Sequence, residues 1–170
     1  MTAWTATVGE ILNVSAQGLI CSANPQLNLS GGIGGAFRML YGPSMQQFLH
    51  QWLSTNNRHF VEPGNGVVAP SCGSPFDAIA HAVAIDAFYD TSESIIRTAY
   101  DNAFAALADR GCQTVTASCL ACGYGRATPQ MFVTAVSPFF TRSLRQIERV
   151  QFVSTNAELI DLLCETIDSK

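Results

Sequence analysis

Ile20-Cys21-Ser22-Ala23-Asn24-Pro25, followed by Ser30-Gly31-Gly32-Ile33-Gly34-Gly35-Ala36-Phe37, is the stretch that decides how this chain folds. The run Gly18-Leu19-Ile20-Cys21 is short and apolar, and it reads as a buried strand leading to a polar turn residue, Asn24. A glycine-rich loop follows, and an amphipathic helix is expected from near Gly35. In the order strand, glycine loop, helix, bare backbone amides can approach an anion. Glycine removes the Cβ barrier, and a helix N-terminus adds free N–H groups and a partial positive charge. A purely structural strand-to-helix loop carries the same glycine signature, so the flanking chain has to decide between the two.

Working outward, Thr5-Ala6-Thr7-Val8 alternates like a strand and breaks at Gly9, after which come Glu10 and Ile11. The helix from Gly35 to Leu53 is interrupted at Gly42-Pro43, with Met45, Phe48 and Trp52 as its core face. Gly66–Ala69 and Ala78–Val83 read as strands joined by a hairpin-like turn through Ser71-Cys72-Gly73-Ser74-Pro75, and His81 on the second reads as a packed core histidine. Ser92-Glu93 opens a helix with Ile96, Ala99, Tyr100, Ala103, Phe104 and Leu107 on one face, ending near Gly111. Thr114–Leu120 is a buried strand running into Ala121-Cys122-Gly123-Tyr124-Gly125-Arg126, and Pro129 fits the first turn of the helix through Phe140. Arg149–Val153 and Ala157–Ile167 are the last strand and helix. Strands alternating with helices predict an α/β fold of three α/β/α layers around a mixed, largely parallel sheet.

At 170 residues the chain suits one domain, residues 1–170, and a composition of 48% hydrophobic and 13% charged residues suits a packed core. Its net charge is −4, its single lysine is Lys170, and the arginines are scattered, which argues against duplex nucleic acid as partner. No apolar run reaches the roughly 18 residues of a membrane span, and no secretory leader is visible, so a cytoplasmic location is expected. Cys119-Leu120-Ala121-Cys122 has the spacing of a zinc or redox pair. Zinc needs two more ligands at matching spacing and none is visible, while redox pairs open helices and this one leaves a strand; the expectation is a structural pair and no metal or cofactor.

Ser22-Ala23-Asn24, then Gly31-Gly32-Ile33-Gly34-Gly35-Ala36-Phe37, then Tyr41-Gly42-Pro43, resembles the first signature of the macro domain family. Further likenesses are the apolar-His-x-Val strand at His81, the helix fragment Ala99–Phe104 and the second loop at residues 121–125, so the resemblance spans roughly residues 9 to 156. It implies a ligand, ADP-ribose or ADP-ribosylated protein, with its diphosphate held between two glycine loops. The binding residues it implies are Glu10, Ile11, Asn24, Gly31, Gly32, Ile33, Gly34, Gly35, Ala121, Cys122, Gly123, Tyr124, Gly125, Arg126 and Asn156. Glu10 stands where the family's adenine-binding acid is found, though a solvated turn glutamate would look the same. Thr155-Asn156 stands where many members carry an adenine-stacking aromatic and an acid. Hydrolytic members commonly carry an aspartate at the place of Gly34, and no carboxylate lies between Asn24 and Pro43. The resemblance therefore favours a binding module. The alternatives are weak mono-ADP-ribosyl hydrolysis assisted by the ligand's own phosphate with Asn24 as the catalytic candidate, an ADP-ribose 1″-phosphate phosphatase, and a protein-interaction domain that has lost the ligand.

Overall fold

Successive residues of one central strand enter different cores: Leu19 and Cys21 pack to one side, while Ile20 packs to the other. That alternation is the signature of a strand covered on both faces. In the computed structural model, which describes residues 1–170, the strand is β2 (Gly18–Ala23). The others are β1 (Ala3–Val8), β3 (Gly66–Pro70), β4 (Ala78–Val83), β5 (Thr114–Ser118) and β6 (Arg149–Ser154). The sheet order is β1-β6-β5-β2-β4-β3, parallel throughout except for β3, which pairs antiparallel with β4.

Helices α1 (Gly32–Tyr41) and α2 (Ser44–Thr55) cover one face, and α3 (Glu93–Asp109), α4 (Pro129–Val136) and α5 (Ala157–Asp168) the other. The three-layer expectation holds. Ser92, Thr128 and Asn156 cap α3, α4 and α5 by accepting from the amide three residues on, which satisfies one orphan donor in each first turn. No helix is long and apolar enough to cross a membrane.

Two boundaries and one buried face differ from the sequence expectation. Helix α1 starts at Gly32, before Gly35, because Gly35 N–H already closes a turn onto the Gly31 carbonyl at 3.0 Å. The buried stripe of α2 is Met45, Leu49 and Leu53, four residues apart, and Phe48 and Trp52 lie half-buried at its edge. Strand β5 stops at Ser118, two residues short of Leu120. There the Tyr100 hydroxyl donates to the Ser118 carbonyl and accepts from the Leu120 amide at 3.2 Å, drawing the chain out of the ladder.

His81 is fully enclosed, its Nε2 3.2 Å from Met45 Sδ and its Nδ1 without a partner. Burial lowers its pKa from 6.5 to about 4. A lowered folded-state value means the unfolded chain takes up the proton first. Stability should therefore fall as the pH drops below 6.5, until about pH 4. Between about pH 7 and pH 5 the loss should be on the order of 2 kcal/mol by chemical denaturation, and His81→Leu should flatten that part of the profile.

Candidate binding cleft

The carboxyl ends of β1, β6, β5, β2 and β4 lie along one edge of the sheet, and a cleft of about 710 Å³ runs above them. Such an edge is where ligands of open α/β sheets bind. One end is walled by Gly9, Glu10, Ile11, Thr155 and Asn156, following β1 and β6. The middle lies between residues 24–34 after β2 and residues 119–125 after β5, and the far end is closed by Ile85 and Tyr89 after β4.

The first loop is pinned from both sides. Asn24 Nδ2 donates to the Asn28 carbonyl at 2.8 Å and Asn28 N–H donates to Asn24 Oδ1 at 3.0 Å. Gln46 of α2 accepts from Leu29 N–H at 2.6 Å and donates to the Leu27 carbonyl at 2.9 Å, which holds Leu27 in the left-handed region at φ 56°. Beyond this clamp the chain enters α1, whose first amides at Gly32, Ile33 and Gly34 have no acceptor within the protein and line the cleft.

The second loop opposes it. Ala121 sits at φ 63°, Cys122 N–H donates to the Cys119 carbonyl at 3.3 Å, and Ala127 N–H donates to the Ala121 carbonyl at 3.1 Å. Between these anchors the amides of Gly123, Tyr124 and Gly125 also have no protein acceptor. Gly125 is required by space: a Cβ there would stand 2.5 Å from the Ala121 carbonyl oxygen and 2.8 Å from Ile85 Cγ2. The Tyr124 ring reaches across to the first loop, so that a Cβ on Gly31 would meet its hydroxyl at 2.9 Å. Tyr124 is 73% exposed and spans the rim without filling the cleft, and Phe37 is buried in the core beneath α1.

Thirteen of the fifteen residues expected from sequence line this one cleft: Glu10, Ile11, Asn24, Gly31, Gly32, Ile33, Gly34, Ala121, Cys122, Gly123, Tyr124, Gly125 and Asn156. The other two do not. Gly35 lies outside the cleft, in a neighbouring hollow with Ala36, Arg38 and Met39, and the Arg126 side chain turns away to pair with Asp90 at 2.8 Å. Asn156 Oδ1 is occupied in capping α5, leaving its amide nitrogen for a ligand, and Glu10 is the only charged side chain in the wall. A Cβ at Gly34 would point at Leu29, 2.9 Å from its Cδ2, so an aspartate there has to displace a buried side chain. Burial pushes the Cys122 thiol up to about 12 and raises Cys119 well above its ordinary value, so neither offers a ready thiolate. Tyr89, Ile85 and Ser118 carry no motif and were invisible to sequence reasoning. Ser118 Oγ is a buried hydroxyl on the cleft wall with no partner.

A family model described as Macro domain matches residues 20–136. O-acetyl-ADP-ribose deacetylase 1 of Pantoea vagans is 26% identical over 170 residues, covering 96% of this chain and 98% of that protein. An Oceanobacillus iheyensis macrodomain variant solved with ADPR superposes with a TM-score of 0.85 at 15% identity, covering 96% of this chain and 91% of that one. A Trypanosoma brucei macrodomain in complex with ADP-ribose gives 0.77 at 14% identity, covering 96% of this chain and 68% of that one. At such identities these two likenesses speak to the fold.

The Tyr100 hydroxyl ties α3 to the root of the second loop. Tyr100→Phe should leave the Ser118 carbonyl without its donor and the Leu120 amide without its acceptor, costing about 1–3 kcal/mol by denaturant unfolding. Amide exchange should quicken at residues 119–125 more than in β1 or α5.

Proposed function

The chain belongs to the macro domain family, and from that premise we propose that its cleft binds ADP-ribose, free or attached to protein, with residues 1–170 acting as one domain. The observation that carries this reading is the pair of opposed loops lining one cleft, each with three amides that bond to nothing in the protein. A diphosphate between them receives hydrogen bonds from Gly32, Ile33 and Gly34 on one side and from Gly123, Tyr124 and Gly125 on the other. The α1 N-terminus adds its partial positive charge, so no lysine or arginine is needed.

The adenine lies toward β1 and β6. The Glu10 carboxylate is positioned to accept from its exocyclic amine, the Asn156 amide to donate, and Ile11, Val153 and Leu159 to supply an apolar floor. No aromatic ring lines that end, which forgoes about 1–3 kcal/mol of base stacking. The distal ribose lies by Asn24, whose amide keeps one N–H and one lone pair beyond its bonds to Asn28.

Hydrolysis is the second reading, favoured by the name of the Pantoea vagans relative. With no carboxylate between Asn24 and Pro43, attacking water has to be held by the ligand's own phosphate, and a missing base costs roughly 10²–10⁴-fold in rate. Slow release of acetate from O-acetyl-ADP-ribose, lost in Asn24→Ala, is the expected signature; no release over hours leaves binding alone.

Isothermal titration with ADP-ribose tests the main reading, and no heat at about 1 mM ligand would sink it. Gly125→Ala should push the second loop off Ile85 and weaken binding at least about tenfold, with the circular dichroism spectrum unchanged.

A further inference from the structure

Strand β5 carries a row of three hydroxyls, and the last of them has nothing to bond. Thr114, Thr116 and Ser118 alternate with Val115 and Ala117, which pack into the α3–α5 core, so all three point to the face beneath α1 and α2. Thr114 Oγ1 accepts from Gln17 N–H at 3.0 Å, and Thr116 Oγ1 donates to the Gln151 carbonyl at 3.5 Å. Ser118 is only 2% exposed, and no protein group lies within hydrogen-bonding reach of its Oγ. Val153 on β6 stands opposite it in the register, and Ile11, Leu27 and Leu29 belong to the same apolar cluster as Val153. A buried hydroxyl in such company has lost its water without replacing it, whereas alanine would fill the same space without that loss. Native chains hold few such groups, and each one needs a physical reason to persist.

The place of Ser118 in the sheet supplies that reason. It is the last residue of β5, and pairing with β2 ends one residue earlier, at Ile20 and Ala117. From there β2 runs on beside β4 toward the first loop, while β5 gives way to the second. The two strands part directly below the space between the loops. From β2 the chain goes on to β3 and β4 on one side, and from β5 to β6 on the other. This parting is therefore the topological switch point of the sheet, the crevice where ligands of open α/β folds bind. Ser118 lines the cleft there with Gly32, Gly34, Gly123 and Gly125. A serine hydroxyl turns about its Cα–Cβ bond between staggered positions, and no bond holds this one in any of them.

The loops above contribute amide donors, and a hydroxyl adds one more donor without the charge of a lysine. Resting on the ADP-ribose reading above, we infer that Ser118 is a ligand contact, its hydroxyl donating to a diphosphate oxygen from the floor of the cleft. The hydroxyl is then unfavourable in the free protein and satisfied in the occupied one. A serine kept for the fold alone has the opposite balance, since its removal weakens the free protein and leaves the ligand untouched.

Ser118→Ala tests this through two measurements that should move in opposite directions. Titration calorimetry should show ADP-ribose bound about tenfold more weakly, and ADP, which shares the diphosphate, weakened by a similar factor. Urea unfolding of the ligand-free protein should show a higher midpoint than wild type, because the unpartnered hydroxyl has gone. Thr116→Val, on the same face but outside the cleft, should give neither effect. An affinity of Ser118→Ala for ADP-ribose within about twofold of wild type overturns the inference and leaves the ADP-ribose reading standing. No heat from the wild-type chain with either ligand removes both. A loss confined to ADP-ribose also overturns it, since the hydroxyl then serves a part of the ligand other than the diphosphate. So does a lower midpoint for ligand-free Ser118→Ala, because the hydroxyl is then already bonded, to a trapped water, before any ligand arrives.

Discussion

A single buried phenol joins the core of this protein to its working edge. Tyr100 stands on α3 among Phe104, Phe132 and Phe152, with ring centroids 5.6 to 6.0 Å away, and its hydroxyl reaches the end of β5. By taking the Ser118 carbonyl and the Leu120 amide, it stops the strand where the second loop must begin. A residue earlier or later would rotate every following amide to another face, because side chains and hydrogen-bonding groups alternate along a strand. The aromatic packing that stabilises the α3–α5 layer thus sets the register of the unengaged amides in the second loop.

Both loops solve the same problem, leaving donors unsatisfied without letting the chain collapse onto them. An unengaged amide tends to find a partner, and native proteins leave few buried ones alone. Here each triplet of free amides is flanked by rigid anchors. The Asn24–Asn28 exchange and the Gln46 bonds stand before the first, and the Cys119–Cys122 and Ala121–Ala127 bonds bracket the second. The left-handed backbone at Leu27, Tyr89 and Ala121, all on this cleft, is the strain that accompanies such anchoring.

What could be read from sequence was whatever depends on neighbours in the chain. The glycine loops, the strand leading into each and the helix starts at Ser92-Glu93 and Pro129 announce themselves because backbone geometry and local hydrogen bonds make the demand. Arg126 was misplaced because its direction is set by Asp90, thirty-six residues away. Gly35 was misplaced because a helix sends adjacent residues to different faces, and the helix began earlier than its apolar pattern. Tyr89 and Ser118 were not found at all. Their role depends on which strand ends lie side by side, and strand order is not written in any one segment. Even Asn24, which lines the cleft as expected, spends much of its amide on holding its own loop, a use that only the fold discloses.

The absence of lysine and arginine from the cleft wall has a further consequence for the conditions under which it works. Sites built from cationic side chains draw an anion in by charge attraction, which dissolved ions screen, so their grip slackens as salt rises. Peptide dipoles fixed in a hydrogen-bonded frame carry no net charge for such ions to screen. Ionic strength is then a weaker lever on this cleft than on one lined by lysine and arginine, and only the partial charge at the start of α1 is left for salt to screen.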